Sequence, residues 1–302
     1  MVCRQAARVN RVPSARARYA CARRIRCYPR RCALTSSTPD ALWSSPSVRL
    51  LRPAAIEVRG LRSGSGWRRN GRGAELRGID LAVPVGARLL LVSQPESAAS
   101  LLLRVLAGMV RPTAGTVTLA GMPRTDDSPT GWRRRVAYVP ASPAIYGWLS
   151  PVEALFLAAD LAGMGRADAE WRVDELVEHL RLGGDATRSM RRGGPAVLER
   201  TALGAALLGE PEVLLLDEPL RALDPAERRR LLNLSRTRVT VVIASRYPAS
   251  EEGIVDQVAL IRDGRVALQA AVEELTAAAL PLNARGIAAL ADAADRTHPA
   301  SS

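Results

Sequence analysis

The sequence predicts an α/β domain whose sheet is mainly parallel and covered on both faces. Two observations predict it. Leu89–Val92 and Val213–Leu216 are continuous apolar runs of strand length, the pattern of strands buried on both sides. Helix-patterned segments alternate with strand-patterned ones, as crossover connections between parallel strands require. Aromatics are 4% of the chain and apolar residues 47%, so Leu, Val and Ala must build most of the core.

The elements follow in order. Ala55–Arg59 begins a strand-like alternation, and the Gly/Ser/Arg-rich stretch Ser63–Gly73 reads as an exposed loop. Leu76–Val83 is a second strand and Arg88–Val92 a short buried one. Ser97–Met109 is helical, with Leu101, Leu102, Val105 and Leu106 on one face. Pro112–Gly115 turns into the strand Thr116–Ala120, and Val136–Val139 is another strand. From about Ser150 to Glu199 the pattern is helical, including Val152–Leu161 and Ala169–Leu182. The helix Leu198–Leu208 leads to the strand Val213–Asp217; Pro225–Leu234 is helical and Val239–Ala244 a strand. Gln257–Arg262 and Arg265–Leu268 form a hairpin around Asp263-Gly264, and the Ala-rich stretch after Pro281 reads as a loose helix plus tail.

All 43 basic residues are Arg, so no lysine-dependent chemistry is open to this chain, and His179 and His298 are its only histidines. The net charge of +13 is concentrated at one end: residues 1–53 hold 12 Arg and one acid, Asp40, a balance of +11. The remainder holds 31 Arg and 29 acids, a balance of +2, so the globular part lacks the electrostatic footprint of a nucleic-acid binder. The arm's Arg-rich composition fits an unstructured extension or a misplaced start, a targeting segment, or a binder of anionic lipid or nucleic acid. It also holds all four cysteines, Cys3, Cys21, Cys27 and Cys32, so no disulfide framework supports the folded region, as in a reducing cytoplasm. Cys27 and Cys32 have a spacing some zinc sites use, but no His or second close pair completes one. The longest charge-free stretch, Val136–Val152, carries three prolines and is too short to span a bilayer.

The strongest chemical signal is Val213-Leu-Leu-Leu-Asp217-Glu218-Pro219 followed by Leu223-Asp224-Pro225. An apolar strand delivers Asp217 to the C-terminal edge of the sheet, where parallel sheets bind ligands. There Asp can hold Mg²⁺, and the adjacent Glu can orient or deprotonate a water. A buried strand followed by a turn would explain the apolar residues, but not both acidic motifs at this spacing.

This segment resembles the Walker B motif and D-loop of ABC (ATP-binding cassette) ATPases, and the resemblance covers roughly residues 55–275. Leu102–Gly108 with Pro112–Val117 is similar to the helix after the phosphate loop and the strand beyond it. Arg135–Pro140 is similar to the strand entering the family's Gln loop, and Asp256–Leu260 with Asp263–Val266 to its closing hairpin. The resemblance implies a RecA-like P-loop NTPase core with a mainly parallel sheet, an antiparallel β subdomain and an inserted α-helical subdomain. The implied organisation is an extension over 1–53, a nucleotide-binding domain over 54–280 with its helical subdomain at about 147–200, and a tail over 281–302. There is no internal repeat, so tandem cassettes are not expected.

The departures from the family pattern bear on function. The phosphate loop falls on Ser93, Gln94, Pro95, Glu96, Ser97, Ala98, Ala99 and Ser100, with Leu101 next. Against G-x-x-x-x-G-K-[ST], Ser93 and Ala98 replace the glycines, Ala99 replaces the Lys, and only the Mg²⁺-side hydroxyl of Ser100 remains. Glu96 adds an anion: at an effective dielectric of about 20, unit charges 4 Å apart repel by about 4 kcal/mol. Ala141 stands at the Gln-loop position and Arg246 at the switch-His position. Arg cannot shuttle a proton, though it can bind phosphate. The signature segment falls on Gly193–Val197 without gaps, or places Arg192 and Pro195 around Gly193-Gly194; neither supplies its serine. Trp67 is either the adenine-stacking aromatic or an exposed loop tryptophan.

The resemblance therefore implies a degenerate ATP-binding-type subunit. Glu218 would be a remnant general base, Asp224 the D-loop acid, and Ser100 and Asp217 the Mg²⁺ ligands if Mg-ATP is bound at all. The implied partners are a membrane permease subunit and a second cassette in a homo- or heterodimer, at the cytoplasmic face of the membrane. No nucleic acid is expected for the folded domain. Two alternatives stand: an active ATPase coupling hydrolysis to transport, and a non-transport scaffold using the basic arm.

Overall fold

A computed structural model describes residues 53–64, 74–94, 97–124, 129–233 and 239–297. Strands β1 (Ala54–Gly64), β2 (Glu75–Pro84), β4 (Ala114–Leu119) and β5 (Met122–Pro123) form an antiparallel sheet in the order β2-β1-β4-β5. The turn into β4 needs glycine: Gly115 has φ 87°, and a Cβ there would lie 2.5 Å from the Gly60 carbonyl oxygen.

The second sheet contains β3 (Arg88–Gln94), β6 (Val136–Val139), β7 (Val213–Asp217), β8 (Thr240–Ala244), β9 (Gln257–Arg262) and β10 (Arg265–Ala271). Its order is β10-β9-β3-β8-β7-β6, with every pairing parallel except β9–β10. The expected mainly parallel sheet is present, with the antiparallel sheet as a separate layer.

Side-chain alternation divides the core between the two faces of the larger sheet. Leu90, Val92, Leu214, Leu216, Val241 and Ile243 join one cluster; Leu89, Leu91, Val213, Leu215, Val242 and Ala244 join the other. Full burial of a Leu, Val or Ile side chain contributes about 1.5–3 kcal/mol. That explains why these strands read as unbroken apolar runs.

Helix α1 (Ser97–Leu106) follows β3 and buries Leu101, Leu102, Leu103, Val105 and Leu106. The helical subdomain is α3 (Pro151–Leu161), α4 (Arg166–His179) and α5 (Met190–Leu207). A capping box starts α3: the Glu153 amide donates to Ser150 Oγ, and the Ser150 amide donates to Glu153 Oε2 at 2.8 Å. Helix α5 is broken at Gly194, whose φ 75° and ψ −175° lie in a region essentially restricted to glycine. Helix α6 (Pro225–Asn233) connects β7 to β8.

Several expectations are corrected. Ser63 and Gly64 continue β1, and Ser63 is buried rather than in an exposed loop; residues 65–73 lie outside the described set. Helix α2 (Pro129–Arg135) was not legible in an Arg- and Gly-containing stretch. Trp132 anchors it, buried and donating from Nε1 to the Leu106 carbonyl at 2.9 Å. A short α7 (Val272–Ala277) follows β10 directly. The stretch after Pro281 forms the ordered helix α8 (Ala284–Thr297), with Ile287 and Ala291 in the core and Asp292 paired to Arg262 at 2.9 Å. No described helix is long and apolar enough to cross a membrane.

Candidate functional site

The C-terminal ends of β3, β7 and β8 open into a cavity of about 370 Å³ lined by Ser93, Ala99, Ser100, Ala141, Asp217, Glu218, Ser245 and Arg246, with Ala284 of α8 also in its wall. Parallel strands end here together, so the two acids of the Asp-Glu pair meet the start of α1 as the strand pattern requires.

One amide at the start of α1 is satisfied internally. Ser93 Oγ accepts the backbone N–H of Ala99 at 3.0 Å, using a donor that could otherwise face an anion. Ala98 and Ala99 are buried, and Leu101 belongs to the core rather than the cavity. Gln94 closes β3 and Ser97 opens α1; Pro95 and Glu96 lie outside the described residues, as does Trp67.

Asp217 is buried and holds two hydroxyls. Ser100 Oγ donates to its Oδ1 at 2.9 Å, and Tyr138 Oη donates to its Oδ2 at 3.4 Å. Burial raises the Asp217 pKa and the Glu218 charge adds to this; the two hydrogen bonds and the charge of Arg104 act in the opposite direction. Tyr138 is pushed well above the usual phenol range, first by burial and then by the Asp217 charge. Tyr138 was not expected here. It faces Leu215 across the β6–β7 pairing, two residues before Asp217, and so shares its face of the sheet.

Glu218 adopts a left-handed backbone, φ 47°, at the end of β7. Its Oε1 accepts the Arg246 backbone N–H at 2.7 Å and Arg246 Nε at 3.2 Å. Its Oε2 accepts Arg221 Nε at 2.8 Å and a second N–H from Arg221 Nη2. Four donors thus occupy a carboxylate side chain that is 11% exposed. Arg221 also donates to Ser245 Oγ at 2.7 Å, and both arginines lie over the Tyr247 ring, at 5.0 and 5.8 Å.

Behind this clamp lies a buried pair. Arg228 Nη2 donates to both carboxylate oxygens of Glu251, at 2.5 and 2.6 Å, while Nε and Nη1 reach the Pro219 and Ser250 carbonyls at 2.8 Å each. Arg221, absent from the sequence-level candidates, therefore belongs to the site. The Glu-x-x-Arg spacing was its only signal.

Asp224 does not line the cavity. Its Oδ1 caps α6, accepting the Ala226 and Glu227 amides at 3.0 and 2.9 Å. Gly193 and Gly194 lie at the break in α5, with Pro195 following. Among the described residues, no group of three or more His, Cys, Asp or Glu side chains could hold a metal ion by themselves.

Comparison with known proteins places these features in context. A family model described as ABC transporter matches residues 76–221. The ABC transporter ATP-binding protein YxlF of Bacillus subtilis (strain 168) is 31% identical over 176 residues, covering 57% of this chain and 58% of that protein. The ABC transporter ATP-binding protein all4389 of Nostoc sp. (strain PCC 7120 / SAG 25.82 / UTEX 2576) is 29% identical over 247 residues, covering 80% of this chain and 69% of that protein. The match thus spans little more than half to two thirds of these relatives. A solved ATP-binding subunit of an ABC transporter superposes with a TM-score of 0.64 at 24% identity, over 74% of this chain and 92% of that one, a likeness of fold.

Proposed function

We propose that this chain is a degenerate ATP-binding-type subunit of the ABC family, a reading supported by the family-model match, the sequence relatives and the likeness of fold. In this reading it hydrolyses ATP little or not at all and serves as a structural or regulatory partner of a membrane permease or of an active cassette. The observation that carries the reading is the occupation of Glu218 by four donors from Arg221 and Arg246. A general base needs a free oxygen lone pair aimed at its water; here both oxygens are committed to guanidinium and amide N–H groups.

The triphosphate cradle points the same way, and the residues present fit Mg-ATP poorly. The Ala99 amide is taken by Ser93 Oγ, and no cation stands at the position that neutralises the phosphates. Ala141 offers no polar group at the Gln-loop position. Arg246, permanently protonated, cannot exchange a proton with the site. What these residues do instead is hold the end of β7 to the segment after β8, through Glu218, Arg221 and Ser245.

The permease partnership rests on family membership and on an exposed apolar surface in and beside the helical subdomain. Leu157 and Leu161 of α3 are exposed, and Tyr146 and Trp148 stack with centroids 4.6 Å apart, each more than half exposed.

Equilibrium titration of the purified chain with Mg-ATP tests the reading. The expected affinity is no better than about millimolar, near −4 kcal/mol; micromolar binding would overturn it. One observation favours the active-ATPase alternative: Ser100 and Asp217 remain within 2.9 Å, so the pair from which a magnesium site is built is retained. Under that alternative, binding would be tight and turnover would depend on Glu218.

A further inference from the structure

A second cluster of cations lies away from the strand-end cavity, where the helical subdomain meets α6. Arg200 of α5 and Arg230 of α6 reach toward the C-terminal end of α4. Arg200 Nη1 donates to the Arg181 carbonyl at 3.4 Å, and Arg230 Nη1 to the His179 carbonyl at 3.1 Å. Among the described residues, the carboxylate they contact is Glu227, 2.5 Å from Arg200 Nη2 and 3.7 Å from Arg230 Nη2. Two guanidinium groups thus share one carboxylate, and the charge of Arg181 lies near enough to act on Arg230.

We propose that this cluster forms an oxyanion cleft, with Arg181, Arg200 and Arg230 receiving a phosphate-class anion. Three further observations support it. Arg200 Nε and Arg230 Nε and Nη2 are buried and meet no hydrogen-bond acceptor among the described residues. Buried donors left unmet are costly, and an anion drawn into the cleft lowers that cost by supplying negative charge and acceptors. Burial depresses the Arg230 pKa, and the neighbouring charges of Arg181 and Arg200 depress it further, while the charge and hydrogen bonding of Glu227 act in the opposite direction. Finally, Arg181 occupies the left-handed position just past the end of α4, with φ 52°. Glycine is the usual residue there, and a Cβ at such a φ costs roughly 1–2 kcal/mol. The Arg181 side chain is exposed, so it is open to an anion from solvent.

The fork of N–H groups on each guanidinium matches the paired oxygens of a phosphate. The anion could be free, as inorganic phosphate or a phosphorylated small molecule, or it could be a phospholipid headgroup. The proposal does not rest on the fate of ATP at the strand-end cavity.

The test is a titration of the full chain with inorganic phosphate against chloride at constant ionic strength, read by thermal shift and calorimetry. A saturable phosphate response is expected, weakened about tenfold or more by Arg181→Gln and by Arg230→Gln. Arg181 is exposed, so its substitution leaves the fold intact if Arg230→Gln does not. The response should survive Arg246→Gln. Absence of a phosphate-specific response, or one that survives both cleft substitutions, overturns the proposal. Loss through Arg246→Gln alone also overturns it, by placing the anion in the strand-end cavity. A parallel arm compares vesicles of phosphatidic acid and phosphatidylcholine. Arg181-dependent sedimentation with phosphatidic acid assigns the source to a headgroup, and its absence assigns it to a free anion; the basic arm contributes equally to both variants.

Discussion

Replacing Glu218 by Gln separates a structural carboxylate from a catalytic one. The amide keeps one acceptor oxygen and turns its other end, an N–H donor, toward donors that the carboxylate now satisfies. In one orientation it loses two contacts to Arg221, in the other two contacts to Arg246. Hydrogen bonds to charged groups contribute about 1.5–3 kcal/mol each when protected. The arginine side chains are 28% and 53% exposed, so solvent screens the pairs and about 1–3 kcal/mol in total is a fairer figure. For a domain of this size each kcal/mol moves the melting temperature by about 2–4 °C, so a fall of roughly 2–12 °C is expected. Differential scanning calorimetry reads the shift, and a coupled ATPase assay on the same samples should find background turnover in both proteins. A working general base would show a different outcome: a loss of about 10²–10⁴-fold in rate with an unmoved melting temperature. That result would refute the reasoning.

Other expected outcomes follow from the same geometry. Arg228→Met leaves the fully buried Glu251 without its bidentate partner, so a loss of about 3–5 kcal/mol is expected by urea denaturation. Asp217 has a raised pKa, so its favourable contribution is complete below the ordinary carboxylate range and is lost as pH rises through the raised value. Asp217→Asn should therefore melt at or above the parent at neutral pH, with the gap closing in acid, as a melting-temperature series against pH would record. Gly194→Ala forces a Cβ into φ 75°, ψ −175°, and about 1–3 kcal/mol of destabilisation is expected on chemical denaturation. Ser93→Gly releases the Ala99 amide and should strengthen any phosphate or nucleotide binding at the start of α1, measurable by calorimetry.

The sheet was legible because its strands carry their own signal. β7 and β9 begin and end within one residue of their apolar runs, since residues buried on both faces leave no polar alternation to blur the ends. Helix α2 left little trace because one tertiary contact, Trp132 with the Leu106 carbonyl, holds a segment with weak helical pattern. The site was legible in part. Asp217, Glu218, Ser100 and Arg246 were found from motif positions, and the structure gathers them around one cavity. Tyr138 and Arg221 were not found, because each reaches its acid through geometry that local pattern does not encode: a neighbouring strand for one, a left-handed turn for the other. Asp224 illustrates the converse. Its motif suggested the reaction centre, while its carboxylate is spent on the first amides of α6.

The two sheets touch at a corner where the backbone of Arg77 donates to the Gly264 carbonyl at 2.7 Å and Gln269 Nε2 donates to the Ala82 carbonyl at 2.6 Å. Gly264 lies at φ 77°, and a methyl group there would fall 2.7 Å from the Glu75 carbonyl oxygen. The margins of β2 and β10 consequently guard each other. A foreign strand seeking to extend either ribbon would first have to displace these bonds, which makes this corner a built-in deterrent to edgewise aggregation.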